Sequence, residues 1–223
     1  LLPDGARFWA PAVLVLATIN VVYGALIALI QSDFKYVIGF SSVSHMGLVL
    51  IGFACLNHDS LLGAGMQMFS HGIMTALFFS VVGMVYDRTH TRELSQLGGL
   101  VQKMPWAAVG FIIAGLVSMG MPGFSGFVAE FPIFMGAWRT APLVAIIAIL
   151  GVLVTAGYIL LVVRRVFFGE LPKQFQNIPD ITWMDKLAIG LLAAFMIGLG
   201  WFPSLMTSVL QPGVQNILGL LGG

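Results

Sequence analysis

Apolar residues run in long blocks separated by short charged or turn-forming breaks, and this pattern predicts six membrane helices. The blocks cover roughly residues 11 to 31, 36 to 56, 61 to 86, 105 to 138, 142 to 168 and 184 to 202. A helix rising about 1.5 Å per residue needs about 20 apolar residues to cross a hydrocarbon layer of about 30 Å. The fourth block is too long: about 34 residues make a helix of about 50 Å, which must tilt or break. Its Met121-Pro122-Gly123 marks the break, and Pro132 lacks the amide hydrogen that would bond the carbonyl of Val128. The tail from Pro203 to Gly223 is amphipathic and marginal in length for a further crossing, so it is expected to finish as a surface-lying helix. No long segment alternates polar and apolar residues, which argues against a β-barrel. The fold class expected is an all-α integral membrane protein with about six transmembrane helices, one of them broken.

Composition sharpens this picture. Apolar residues make up 59% of the chain and charged residues 9%, too little polar surface to cover a water-soluble globule of 223 residues. Lysine and arginine are distributed unevenly. Placing the loop between the first two spans on one face gives that face Lys35, Arg88, Arg92, Lys103, Arg164, Arg165, Lys173 and Lys186, and leaves Arg7 and Arg139 for the other. By the positive-inside rule the lysine-rich face is cytoplasmic and both ends of this chain lie on the opposite side. The two longest loops, YDRTHTRELSQLGGLVQKMP and FGELPKQFQNIPDITWMDK, fall on that face, where peripheral partners are expected. Neither is long enough to be a soluble domain. A net charge of +1 and the lack of any basic run exclude nucleic acid as a partner. Cys55 is the sole cysteine, so there is no internal disulfide and no cysteine cluster for a metal.

Three ionisable residues sit inside apolar spans: His45, His71 and Glu130. Each lies about 12 to 15 Å from the nearer predicted helix end, close to the midplane. Polar groups at that depth are costly and normally face a bundle interior or a wet cavity on an ion path. Ser41 and Ser42 lie one turn from His45, with Ser44 beside it, while His71 has Ser70, Gln67 at i−4 and Thr75 at i+4. These hydroxyls and amides are suited to bonding water or orienting an imidazole. A single membrane histidine often does no more than bond a neighbouring helix. Two histidines and a carboxylate at matching depth fit a proton wire better, because imidazole exchanges protons near neutral pH. Zinc is disfavoured, having too few ligands, and the serines beside His45 lack the acidic third member of a nucleophilic triad. GMPGFSGF does not follow a strand, so it is not a phosphate loop. Lys35, beside Asp33, reads by default as a lysine snorkelling to the interface, with a proton entry or exit group as the alternative. Arg139, Arg164 and Arg165 read as end anchors, and His58 and His90 as loop residues.

The stretches SDFKYVIGFSSVSHMGLVLIGF, MFSHGIMTALFFSVVGMVYDRTHTRELSQLGGL and GMPGFSGFVAEFPIFMGAW resemble, in this order, the antiporter-like membrane subunits of respiratory complex I. The M type, chain 4 in mitochondria and D-type in photosynthetic complexes, is the most similar; Mrp-type sodium/proton antiporter and membrane-bound hydrogenase subunits share parts of the pattern. The resemblance covers about residues 20 to 170. It implies fourteen helices built around two inverted five-helix repeats. Residues 1–170 would be the second repeat, a proton half-channel, and 171–223 a cytoplasmic loop, the final transmembrane helix and a tail. The first repeat, with its glutamate and lysines, is absent from this sequence, so the chain is expected to be a C-terminal half that partners an N-terminal half, neighbouring antiporter-like subunits and the bilayer. His45 and His71 then match the midplane histidines of the family's proton path, and Glu130 the ionisable residue of the broken helix. Lys35 joins this path at its cytoplasmic end, with Ser41, Ser42, Gln67, Thr75, Pro122 and Pro132 in support. The resemblance implies an NADH or ferredoxin:quinone oxidoreductase with no cofactor in this chain; NADH, FMN, iron–sulfur clusters and quinone would belong to partner subunits. Electrostatic coupling would carry the energy of quinone reduction to the buried row. The membrane expected is a bacterial inner membrane, otherwise a thylakoid or mitochondrial inner membrane. A sodium/proton antiporter subunit and a non-conducting scaffold are the competing readings.

Overall fold

A computed structural model describes residues 2–222. Eight α-helices follow one another: α1 (Pro3–Ile30), α2 (Phe34–Ala54), α3 (His58–Thr89), α4 (Pro105–Ser118), α5 (Ser125–Thr140), α6 (Pro142–Val162), α7 (Trp183–Trp201) and α8 (Ser204–Gly222). Helices α1, α2, α3, α6 and α7 are each long and apolar enough to cross a membrane, α6 doing so with the π-turn that continues it. The shorter α4 and α5 make one interrupted span, so six spans form an all-α membrane bundle.

The helix ends differ from the sequence reading where proline and loop signals mislead. α1 starts at Pro3, an N-terminal position that costs no hydrogen bond, and continues through Pro11. α3 runs three residues beyond each expected limit. His58 is therefore its first residue, and His90 caps it in the left-handed conformation with φ of 54°. In the tail expected to lie on the surface, Ser204–Gly222 form a helix, α8, which packs against α3 with Leu210 opposite Gly65.

Close packing between helices comes from small residues, as lipid gives no hydrophobic drive for association. Gly24 and Gly47 bring the α1 and α2 backbones together, and a Cβ on Gly47 would reach 2.8 Å from the carbonyl of Ala17. Gly63 does the same between α3 and α5, where a Cβ would meet Ala129 O and Ile133 N at 2.8 Å. Two apolar clusters result. One, built on Phe34, Phe78, Phe111 and Phe167, fills the half of the bundle nearer the basic loops; the other, built on Val21, Ile51, Ile133 and Ala145, fills the opposite half.

The basic end is strapped together by its loops. Asp33 caps α2 and pairs with Arg92 at 3.4 Å, while Phe34 N–H donates to the carbonyl of Arg92 and Leu94 N–H to that of Ser32. Arg88 reaches Asp185 in the first turn of α7 at 3.1 Å, and Lys186 bonds Asp180 at 2.7 Å. Burial resists ionisation of Asp180, but the bonds from Lys186 and from Ile181 N–H outweigh it and hold its carboxyl below the ordinary carboxylate range. At the other end Asn57 caps α3 and ties it to the Gly136 carbonyl, and Arg139 pairs with Asp59.

Candidate functional site at the interrupted helix

α4 ends in a tight C-terminal turn. Gly120 takes φ of 62°, its N–H bonds the carbonyl of Val117, and Met121 N–H bonds that of Leu116. This paired pattern stops a helix with a left-handed residue, a role glycine fills without the Cβ penalty. Pro122 follows where helix cannot resume. The interruption therefore begins before Met121, while α5 continues unbroken through Pro132. Pro132 removes one hydrogen bond without opening a second gap, so the fourth span is broken once.

At this break the bundle gathers its buried polar groups. Glu130, in the second turn of α5, is 2% exposed, and His45 and His71 are also buried. His45 Nδ1 lies 3.3 Å from Glu130 Oε1, and Gln67 Nε2 donates to the same oxygen at 3.0 Å. The His71 ring stacks obliquely on that of His45, with centroids 5.4 Å apart. His45 is thus the histidine in contact with the carboxylate. The other carboxylate oxygen turns toward Gly120, where a Cβ would approach it to 2.8 Å. On its far side His45 Nε2 meets the Ser118 hydroxyl, at the last residue of α4, at 2.9 Å. Ser70 and Ser125 join hydroxyls at 2.8 Å and tie α3 to the start of α5.

A hydroxyl cluster borders the site on α6. Tyr158, 1% exposed, donates to Ser41 Oγ at 2.7 Å, with Thr155 Oγ1 at 3.3 Å. A small cavity of about 10 Å³ lies between α1, α2 and α6, bordered by His45, Ser44, Gly151 and Thr155, about the space of one water.

The predicted residues divide accordingly. His45, His71, Glu130 and Gln67 come together. Ser41 serves Tyr158, while Ser42 and Thr75 bond the carbonyls of Ile38 and His71 on their own helices. Lys35 lies exposed at the basic end, about 15 Å along α2 from His45, and does not approach the cluster. Ser118, Ser125, Thr155 and Tyr158 complete the site, although none stands out in the sequence. Each sits singly in an apolar or glycine-rich run, and only packing brings them to the histidines.

An all-helical membrane bundle with a carboxylate and two histidines buried beside an interrupted helix defines the class of protein. The chain belongs to the NADH:quinone oxidoreductase/Mrp antiporter transmembrane family, whose model matches residues 2–155. It is 41% identical over 217 residues to NADH-quinone oxidoreductase subunit M of Rhodobacter capsulatus, covering 97% of this chain and 42% of that one. It is 36% identical over 231 residues to NAD(P)H-quinone oxidoreductase chain 4 2 of Synechococcus, covering 99% of this chain and 43% of the relative. Among solved structures, a chain of respiratory complex I from Thermus thermophilus with bound NADH superposes on all of this chain and 47% of its own length, with a TM-score of 0.92 and 30% identity. A chain of the Mrp complex from Dietzia matches at TM-score 0.89 over 96% of this chain and 48% of its own length; at 20% identity it shares the fold. The chain spans less than half the length of the relatives it matches.

Proposed function

We propose that this chain is the C-terminal, proton-conducting half of an M-type subunit of an NADH or ferredoxin:quinone oxidoreductase. Residues 1–170 would act as the second antiporter-like repeat and 171–223 as the loop, last span and tail. The observation that carries the reading is the contact between Glu130 and His45 beside a break in the helix. Gln67 donates to the same Glu130 oxygen that lies 3.3 Å from His45 Nδ1, so a proton on that nitrogen has the carboxylate as its nearest partner. A proton arriving at Nε2 lets Nδ1 pass its own to Glu130, and the proton left on Nε2 must return to Nδ1, by a turn of the ring, before the next can follow. His71, stacked on His45, is the next station. Lys35 stands outside this buried row and acts as an interface lysine. The basic end faces the cytoplasm, and energy from quinone reduction in partner subunits arrives as electrostatic coupling along the buried row.

Replacing Glu130 by Gln keeps the shape and removes the exchangeable proton. In the full-length protein within its membrane complex, E130Q should assemble and retain quinone reduction while proton translocation into vesicles is lost. Undiminished translocation would sink the proposal. Sodium-dependent exchange in the absence of any electron donor would favour the antiporter reading instead.

A further inference from the structure

The basic end of α6 presents charge that the fold leaves unpaired. We infer that Arg164 and Arg165, with the two recesses that share Arg165, bind the headgroup of an anionic phospholipid of the leaflet at that end, whose acyl chains lie along the outer face of α6. This site is separate from the proton path.

Arg164 and Arg165 lie in the π-turn Val163–Phe167 that continues α6, and both are exposed. Among the described residues neither pairs with a carboxylate, whereas Arg88, Arg92 and Lys186 at the same end are each tied to an aspartate. One recess, of about 370 Å³, is lined by Leu97, Leu161, Arg164, Arg165, Phe168 and Glu170. The other, of about 470 Å³, lies between Arg165, Leu97 and the Ser32, Leu94 and Ser95 of the facing loops. Backbone bonds fix the walls: Gly99 N–H donates to the Phe168 carbonyl at 3.1 Å, and Leu94 N–H to that of Ser32 at 2.8 Å. Glu170 borders the first recess without pairing with either arginine, so two arginines against one glutamate leave the lining net positive.

The surface beneath the arginines selects a lipid over other anions. Ile146, Leu150, Leu153, Gly157, Leu160 and Arg164 follow at steps of four and three residues, which places them on one face of α6. The four aliphatic side chains are 44–65% exposed, and a Cβ on Gly157 would meet nothing within 4 Å. This stripe runs for about 27 Å and ends at Arg164. A free phosphate would use the arginines alone, whereas an anionic phospholipid uses the arginines and the stripe together. The planar guanidinium fork matches phosphate oxygens, and basic pockets between spans suit anionic headgroups. A zwitterionic lipid carries its own ammonium toward the arginines and gains less. A protein helix is the poorer occupant, because close helix packing favours small residues and this stripe is bulky except at Gly157.

The test uses the full-length protein within its membrane complex, reconstituted in phosphatidylcholine vesicles. These carry a trace of either phosphatidylglycerol or phosphatidylcholine with a photoactivatable group on one acyl chain. Mass spectrometry of the digested chain compares labelling of residues 146–161 with labelling of α7, whose Leu187 and Leu191 are also exposed. Relative to α7, phosphatidylglycerol should label the α6 stripe at least about fivefold more than phosphatidylcholine does, the scale of one arginine at a membrane surface. R164Q/R165Q should bring that ratio close to one and E170Q should raise it, with assembly and quinone reduction unchanged in both variants. Equal labelling by the two lipids, the result if only free phosphate occupied the arginines, overturns the site. So does a ratio that R164Q/R165Q leaves unchanged. If neither lipid labels the stripe while both label α7, a protein neighbour covers that face and the lipid site is wrong. Should R164Q/R165Q fail to assemble, E170Q decides: an unchanged ratio overturns the site.

Discussion

At the scale of single residues, the site depends on Gly120 as much as on any ionisable group. It holds a left-handed φ, and its missing side chain leaves room for the Glu130 carboxylate. G120A should cost about 1–2 kcal/mol from backbone conformation alone, and its methyl would drive the carboxylate off His45. The expected outcome is a lowered melting temperature of the purified complex together with lost proton translocation. A variant that pumps normally would show that Gly120 only ends a helix. His45, His71 and Glu130 were legible because charge inside an apolar run is conspicuous whatever the fold. Tyr158 was not: an isolated tyrosine in the run from Pro142 to Val162 reads as one more apolar side chain until α2 and α4 are packed against it. Lys35, read by default as an interface lysine with proton entry or exit as the alternative, lies exposed at a helix start where water is near.

At the scale of elements, hydrophobic run length located every span, but proline and loop residues set the ends poorly. Pro11 and Pro132 both lie inside continuous helix, since neighbouring helices hold the segments in place after one hydrogen bond is lost. P132A should therefore leave translocation unchanged and hold or raise thermal stability, as it restores an N–H for the Val128 carbonyl. Lost translocation in P132A would restore the view that a second interruption serves the site. The α3–α5 seam behaves differently. G63A would push a methyl into the backbone of α5, and overpacking of this kind costs about 1–3 kcal/mol. Because Gln67 and Glu130 face each other across the same seam, G63A should lower translocation as well as the melting temperature.

At the scale of the whole molecule, the two ends of the bundle are fastened by different chemistry. The basic end relies on Arg88, Arg92, Lys186 and their carboxylates, the opposite end on Asn57 and one exposed ion pair. Asp180 has its carboxyl held below the ordinary range, so its stabilising contribution is present above the unfolded-state value and is lost as pH falls through the folded-state value. Acidification from neutral to about pH 3 should loosen the segment leading into α7, seen as faster proteolysis within residues 168–182. D180N should be cleaved faster already at neutral pH and show a weaker acid response, Asp185 keeping its own share, and equal cleavage of both proteins would count against the strap.

The divided fourth span has a further consequence, in how the site would respond to movement. Glu130 and Gln67 belong to α5 and α3, which share one packed seam, whereas Ser118 rides at the tip of α4. Residues 119 to 124 are the only covalent link between those two rods. A tilt of α4, whose base is set among the basic loops, would uncouple Ser118 from His45 while the carboxylate keeps its amide. With such a tilt, one side of His45 would disengage while the other kept its contact.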